Sequence, residues 1–192
     1  SAGGDHTCAL LSDHTVRCWG DNSDGQLGDG TTVDRRIPVA VSGISTAAGI
    51  AASDGWGHTC ALLAEGTVRC WGNNTIGQLG DHTWVSKDVP VDVVEIAVHH
   101  PLAGLLEGVA AIAVGGNITC GLLKTGDLAC WGNSSYGQLG GLGHAAFDHG
   151  KCVVVEVTGN QPGERRRRVA RDLRGLQHRA VAAGNGAHER RA

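Results

Sequence analysis

Three copies of one short signature constrain the fold of this 192-residue chain more than any other feature. Each copy contains Thr-Cys-x-Leu-Leu, then Cys-Trp-Gly with its cysteine ten residues after the first, then Gly-Gln-Leu-Gly. The tryptophans of the three copies, Trp19, Trp71 and Trp131, are 52 and 60 residues apart. Self-similarity at such a period is typical of units that bury a shared core by stacking on one another.

Composition selects the secondary structure of these units. The chain contains 31 glycines, and a glycine inside a helix costs about 1 kcal/mol relative to alanine, so a helical bundle is disfavoured. Hydrophobic residues make up 41% of the chain and charged residues 18%, a balance that excludes a disordered chain. No apolar run approaches the roughly 20 residues of a membrane-spanning helix. We therefore expect a turn-rich, all-β protein, and, because methionine is absent, a processed chain or a fragment.

Each signature begins with a predicted β-hairpin. The three hairpins are expected near residues 6–20, 58–72 and 118–132. Folding the first hairpin about Asp13 places Cys8 directly opposite Cys18. The third residue of such a three-residue loop adopts a left-handed conformation, which suits the glycine of the second and third copies. His14 takes this position in the first copy, and histidine tolerates it better than most residues do.

The residues between the hairpins complete each unit. An apolar strand and an Ala/Val-rich run follow the glycine-rich loop, which gives about four strands for every 50–60 residues. Such a small sheet cannot bury both of its faces alone, and radial stacking into a β-propeller hides most strand edges. We expect three propeller repeats in residues 1–160. Residues 161–192 are expected to form a basic loop and the truncated start of a fourth repeat.

The repeated pattern resembles a known family. Gly-x-His-Thr-x-Ala-Leu, Cys-Trp-Gly-x-Asn, Gly-Gln-Leu-Gly-Asp and Pro-Val together resemble the regulator-of-chromosome-condensation repeat, over roughly residues 1–158. The resemblance implies a partial β-propeller with about three four-stranded blades and the start of a fourth, because the family fold usually has seven. The remaining blades, or a second copy, are then expected to complete the ring. Cysteines at both hairpin positions are similar to the bacterial, exported members.

Six of the seven cysteines form three pairs within the predicted hairpins, and Cys152 is left over. The pairs are Cys8 with Cys18, Cys60 with Cys70, and Cys120 with Cys130. A disulfide in each eleven-residue loop would contribute about 3 kcal/mol, less any strain, and would indicate an extracytoplasmic or secreted protein. The alternative is six reduced thiols that pack as small apolar groups. A zinc ribbon is excluded because it needs Cys-x-x-Cys pairs of ligands, and the sequence contains no such pair.

Aromatic and imidazole side chains provide the candidate contacts. Trp56 and Trp84 do not belong to the repeat, and an exposed tryptophan there is a candidate anchor for a protein partner. His6 and His58 share a repeat position that Ile118 occupies in the third copy. This replacement favours a structural role, with hydrogen bonds between blades, over a ligand or catalytic role.

Charge divides the chain into two parts. Residues 1–160 contain 7 Lys/Arg and 16 Asp/Glu, whereas residues 161–192 contain 9 Arg and 3 acids. The run Arg165, Arg166, Arg167 and Arg168 is either a solvated loop or an arm that contacts nucleic-acid phosphates. The acidic body disfavours a chromatin-binding surface, so nucleic acid is not the expected partner.

These observations lead to a functional prediction. The sequence contains no nucleophile elbow, zinc-protease motif, phosphate loop or dinucleotide fingerprint, so we expect neither catalysis nor a cofactor. We predict a non-enzymatic, exported module that holds a protein partner through its loops. The alternatives are a guanine-nucleotide-exchange or chromatin-associated regulator, and a purely structural surface-repeat segment of a larger protein.

Overall fold

The computed structural model describes residues 1–55, 57–95, 104–139 and 153–155. Regular structure in these ranges is β-strand, and every paired strand runs antiparallel to its neighbour. The predicted all-β class is confirmed. Within the same ranges no helix has the length and hydropathy needed to cross a membrane.

Three sheets follow one another along the chain, each a meander of consecutive strands. The first sheet contains β1 (His6–Leu10), β2 (Val16–Gly20) and β3 (Arg35–Ala40). The second contains β4 (Ala47–Ala52), β5 (His58–Leu63), β6 (Val68–Gly72) and β7 (Lys87–Asp92). After a short pair, β8 (Val94–Glu95) and β9 (Gly104–Leu105), the third contains β10 (Val109–Gly115), β11 (Ile118–Leu123), β12 (Leu128–Gly132) and β13 (Val153–Val155).

The first sheet has three strands where about four were expected. In the second sheet, the six-residue strand β4 precedes the hairpin and pairs with β5. The corresponding pairing in the first sheet is reduced to a single bridge between Ala2 and Thr7. Five residues precede β1 in this sequence, too few for a strand of that length and its turn.

The hairpin register is as the sequence predicted. Cys8 lies opposite Cys18, and the equivalent cysteines face each other in the other two hairpins. The third loop residue is left-handed in each case, with φ of 64° at His14 and 92° at both Gly66 and Gly126. In each pair the two Cα atoms are 4.1 Å apart and the sulfur atoms lie at disulfide distance.

Two apolar cores lie between neighbouring sheets, and both follow the same plan. Each combines the cysteine pair of one sheet with the signature tryptophan of the next. Trp71 packs with Cys8 and Cys18, and Trp131 packs with the cysteines of the second hairpin; both indoles are fully buried. A sheet therefore completes its core only by stacking on its neighbour.

The last glycine of the first and second Gly-Gln-Leu-Gly segments makes room for the tryptophan of the next sheet. A Cβ atom on Gly28 would lie 2.7 Å from Trp71 Nε1, and one on Gly80 would lie 2.9 Å from the same atom of Trp131. Both glycines also have positive φ, 67° and 68°. Glycine at these positions therefore allows both the close contact between sheets and the left-handed turn.

A chain of hydrogen bonds joins the first two sheets. Thr59 Oγ1 donates to the carbonyl of Gln26 at 3.0 Å, and Trp71 Nε1 donates to the same carbonyl at 2.9 Å. His6 Nε2 lies 2.8 Å from Thr59 Oγ1. Because the only hydroxyl proton of Thr59 is already donated, His6 must be the donor, which places a proton on its Nε2.

The second and third sheets repeat the histidine and threonine bonds of this arrangement but not the indole bond. His58 Nε2 lies 3.0 Å from Thr119 Oγ1, which donates to the carbonyl of Gln78 at 3.1 Å. The indole nitrogen of Trp131 is buried but makes no hydrogen bond within the described part of the chain. The predicted hydrogen bonding of the repeat histidines between sheets is confirmed.

Burial keeps both histidines neutral. Desolvation, together with a smaller effect of the neighbouring His6, lowers the pKa of His58 to about 3. Desolvation also lowers the pKa of His6, against the opposing effects of Asp21 and Asp5. His58 stays neutral for a second reason: its Nδ1 is buried and has no hydrogen-bond partner in the described residues. A proton there would have no acceptor.

Candidate partner-binding site

Trp84 lies on the loop that connects β6 to β7 and is 58% exposed. Its neighbour Val85 is 62% exposed, so two large apolar side chains stand side by side in solvent. Adjacent exposed apolar residues are a common property of protein-binding surfaces. The sequence identified Trp84 as a candidate anchor, and its exposure is compatible with that role.

The buried side chain of Asn74 holds this loop in shape. Its amide nitrogen donates to Asp81 Oδ1 at 2.9 Å, to the carbonyl of Thr83 at 3.0 Å and to that of Val85 at 3.3 Å. Its side-chain oxygen accepts from the backbone N–H of Leu79 at 3.0 Å. Asn74 therefore fixes the backbone on both sides of Trp84, and the indole projects from a preorganised segment.

The first sheet contains the same anchor without the tryptophan. The amide of Asn22 donates to Asp29 Oδ1 at 3.3 Å and to the carbonyls of Thr31 and Val33 at 2.9 and 3.1 Å. Thr32 occupies the position of Trp84 in this loop. The scaffold is thus common to two repeats, whereas the aromatic anchor belongs to the second alone.

Ion pairs support both loops. Arg35 lies 2.8 Å from Asp29 in the first, and Lys87 lies 3.9 Å from Asp81 in the second. Although burial raises the pKa of Asp29, hydrogen bonds from Thr31 and Arg35 outweigh it and lower the pKa below its ordinary value. Asp29 is therefore a carboxylate at neutral pH, the form that accepts these hydrogen bonds.

Apolar exposure continues onto the last strands of the first two sheets. Val33 and Ile37 of the first repeat are exposed, and so are the equivalent residues of the second, Val85 and Val89. Gly30 joins the two repeats here, because its N–H donates to the carbonyl of Asp88 on β7 at 2.9 Å. Exposed apolar side chains therefore recur at equivalent positions of the two repeats.

Other predicted site residues lie outside the described residues. They are Trp56, Cys152 and the run Arg165, Arg166, Arg167 and Arg168. The structure thus leaves Trp84 as the described member of the predicted tryptophan pair. The roles expected of Trp56 and of the arginines stay predictions.

Sequence reasoning missed the role of Asn22 and Asn74. Both occupy the last position of Cys-Trp-Gly-x-Asn, and Ser134 replaces them in the third copy. The recurrence was the available signal, but asparagine is common in turns for local reasons. Only the structure shows that the amide reaches residues up to eleven positions ahead.

Metal binding finds no support in the described ranges. No group of three or more His, Cys, Asp or Glu side chains in residues 1–55, 57–95, 104–139 and 153–155 is arranged to hold a metal ion.

Comparisons with known proteins agree with the repeat pattern. The model of the regulator of chromosome condensation (RCC1) repeat matches residues 1–26, 48–78 and 109–138. RCC1 domain-containing protein RUG3, mitochondrial, from Arabidopsis thaliana is 31% identical over 140 residues, covering 73% of this chain and 30% of that protein. Ultraviolet-B receptor UVR8 from the same plant is 37% identical over 98 residues, covering 51% of this chain and 22% of that protein.

A solved structure supports the fold. Human WBSCR16 matches with a TM-score of 0.63 and 24% identity, covering 84% of this chain and 38% of that chain. The three sheets are therefore blades of a β-propeller of this type, and are called blades below. The chain spans 30% or less of the length of the two curated relatives.

Proposed function

This chain belongs to the regulator of chromosome condensation (RCC1) repeat family, and we propose from that premise that it is a non-enzymatic protein-binding propeller module. One observation carries the proposal: Trp84 is exposed on a loop that Asn74 holds by several hydrogen bonds. Tryptophan is enriched among the few residues that dominate the energy of protein interfaces.

The rigidity of the loop supports this role. A side chain that is already in its bound position avoids part of the entropy cost of ordering on association. Val85 adds apolar area next to Trp84, and the charged pair Lys87 and Asp81 lies three residues from Trp84 on either side along the chain. An apolar centre with a polar margin is the usual anatomy of a protein interface.

Affinity capture with a matched pair of variants tests the proposal. The immobilised chain is exposed to periplasmic and culture-medium fractions, in parallel with Trp84→Ala and Thr32→Ala, which alters the equivalent residue of the first blade. A partner that uses this site is retained by the wild type and by Thr32→Ala and lost by Trp84→Ala. Equal retention by all three, or no protein bound at micromolar concentration, would contradict the proposal, and absence of any partner would favour a structural repeat segment.

Export from the cytoplasm is part of the proposal. It is supported by the three cysteine pairs at disulfide distance, because disulfides persist in oxidising compartments. Fractionation of the native source tests it: the chain is expected in the extracytoplasmic or secreted fraction, and recovery in the cytoplasm with free thiols would contradict it.

A guanine-nucleotide-exchange or chromatin-associated role is the second candidate. Its specific support is the arginine run at residues 165–168, which contrasts with an acidic body. If this run contacts nucleic acid, replacing its four arginines by alanine should weaken DNA binding and reduce the salt dependence of the affinity. Unchanged binding would remove the chromatin-associated form of this candidate, and absence of accelerated nucleotide release from a small GTPase would remove the exchange form.

A further inference from the structure

The loops that connect successive strands alternate between two ends of each blade, because the blades are antiparallel meanders. Trp84 lies at the end opposite the hairpin loops, and we call the two ends the Trp84 end and the hairpin end. The described connecting loops of the Trp84 end are residues 21–34, 53–55, 57, 73–86, 116–117 and 133–139. Neighbouring blades are in direct contact here: the N–H of Gly30 donates to the carbonyl of Asp88 at 2.9 Å, and that of Gly116 donates to Asp54 Oδ1 at 2.7 Å.

The charge of the Trp84 end has one sign. Its described loops contain no lysine or arginine. They contain six aspartates, which are Asp21, Asp24, Asp29, Asp34, Asp54 and Asp81. Cations from the adjoining strands pair with two of these, since Arg35 lies 2.8 Å from Asp29 and Lys87 lies 3.9 Å from Asp81. The other four carboxylates have no cation at ion-pair distance within the described residues.

Neutral donors orient these carboxylates without cancelling their charge. Asp34 accepts a hydrogen bond from the backbone N–H of Asn22 at 3.0 Å, and Asp21 accepts one from the Ser23 hydroxyl at 3.0 Å. Asp24 makes no side-chain hydrogen bond in the described part of the chain. Charges of one sign on neighbouring loops add to a common potential, which attracts groups of the opposite sign. The loop of Trp84 therefore lies on the side of the blades where a cation is favoured.

We propose that the partner of this site is a basic protein segment with an arginine that stacks on the indole of Trp84. The inference rests on the proposed protein-binding function and names the chemistry of the partner. Trp84 is 58% exposed on a loop that Asn74 holds in shape, so its ring is available for such a contact. A guanidinium over a tryptophan face gains cation–π attraction, and further cations along the segment complement the aspartates. Lysine has the same charge but lacks the planar group that stacks on an aromatic ring.

Calorimetric titration of three synthetic peptides into the full chain tests this chemistry. The peptides alternate glycine with arginine, with lysine or with glutamate. Each is about twelve residues long, and an extended chain of that length spans about 40 Å. We expect the arginine peptide to bind most tightly, the lysine peptide to bind more weakly, and the glutamate peptide not to bind at about 1 mM.

Substitutions of Trp84 test the stacking contact. Trp84→Ala should weaken the affinity for the arginine peptide about fivefold, the size of an exposed cation–π contact. Trp84→Phe keeps an aromatic face and should retain part of the lost affinity. Thr32→Ala, at the equivalent position of the first blade, is the matched control and should bind the peptide as the wild type does. Circular dichroism and urea denaturation verify that each variant is folded.

Two double variants separate this site from general attraction between a cationic peptide and an acidic protein. Asp24→Asn with Asp34→Asn removes two charges at the Trp84 end, whereas Asp13→Asn with Glu65→Gln removes two at the hairpin end. Each amide keeps a hydrogen-bond acceptor and the shape of the acid that it replaces. The first pair alone should weaken binding of the arginine peptide, and it should also reduce the loss of affinity with added salt.

A chain in which the arginine run 165–168 is replaced by alanine is titrated in parallel and should bind the arginine peptide as the wild type does. Binding that appears only in this variant would make the chain's own arginines the occupant and would overturn the proposal. Three other results would also overturn it: no binding of the arginine peptide at about 1 mM, equal affinity in Trp84→Ala, or equal weakening by the two double variants. A captured protein that Trp84→Ala loses, together with no peptide binding, would leave the protein-binding function standing and show that its partner is not basic.

Discussion

His58 Nε2 lies 3.0 Å from Thr119 Oγ1, a residue 61 positions away in the next blade. The threonine hydroxyl donates onward to the carbonyl of Gln78, so His58 must carry a proton on Nε2. Because a second proton would sit on the buried Nδ1, which has no acceptor in the described residues, the packing of the two blades is coupled to the protonation of this imidazole. The same arrangement at His6 and Thr59 makes the coupling a property of both internal interfaces.

The first prediction concerns pH. The pKa of His58 is lowered to about 3 and that of His6 is also lowered, so the unfolded chain takes up protons that the folded chain refuses. Stability is therefore complete above pH 6.5 and is lost as pH falls from 6.5 towards the folded pKa values. The expected slope is about 1.4 kcal/mol per pH unit for each proton taken up on unfolding.

Urea denaturation between pH 8 and pH 5 measures this slope. The pKa values of Asp13, Asp29 and Glu65 are lowered in the folded protein. Protonation of these carboxylates therefore destabilises the fold only at lower pH, outside this window. His58→Gln, which retains an N–H donor but does not titrate, should reduce the slope. A free energy of unfolding that does not change between pH 7 and pH 5 would contradict the coupling.

The second prediction separates backbone strain from packing at glycine. Gly80→Ala places a Cβ 2.9 Å from the Trp131 indole at φ of 68°. Gly43→Ala imposes a similar φ of 66° with nothing within 4 Å. Gly43→Ala is the control and should lower the free energy of unfolding by about 1–2 kcal/mol, because alanine disfavours left-handed backbone. Gly80→Ala should lower it by about 1–3 kcal/mol more, because the added methyl group overpacks the core. Equal losses by chemical denaturation would show that Trp131 imposes no constraint.

The third prediction concerns the loop that presents Trp84. Asn74→Ala removes the donor to three carbonyl or carboxylate oxygens and the acceptor for the Leu79 amide. It should destabilise the fold by about 2–3 kcal/mol and speed hydrogen exchange at Leu79. Ser134→Ala, at the equivalent exposed position of the third copy, is the control and should cost less than about 0.5 kcal/mol. Unchanged Leu79 protection in Asn74→Ala would show that the anchor is dispensable.

The fourth prediction concerns the cysteine pairs. If all three form disulfides, complete reduction raises the mass by about 2 Da for each of the pairs, and each closed loop contributes about 3 kcal/mol by the loop-entropy argument. The double replacement of Cys60 and Cys70 by alanine should lower stability by that order, while reductant should have a smaller further effect than on the wild type. A native mass that reductant does not change would establish the buried-thiol alternative.

Local features of the fold could be predicted because their causes lie close together in the sequence. A three-residue loop about Asp13 determines which residues face each other, so the Cys8–Cys18 register followed from counting. The left-handed conformation of His14 followed from the same loop geometry. Neither required knowledge of another blade.

The candidate site could be predicted only in part. The sequence identified Trp84 because it departs from the repeat, but its exposure depends on a loop shape that Asn74 imposes. The fit of Gly80 to Trp131 joins residues 51 positions apart, and no local rule relates them. Such contacts depend on how one sheet is placed against the next.

The sequence by itself determined the all-β class, the three repeats and the pairing within each hairpin, because backbone hydrogen bonding and turn geometry act over a few residues. The tertiary structure alone decided which of the repeated side chains are buried. Trp71 is fully buried and Trp19 only partly, although the two have the same sequence neighbours in Cys-Trp-Gly. The difference is that a preceding blade covers Trp71, since burial is a property of the neighbouring sheet and not of the residue.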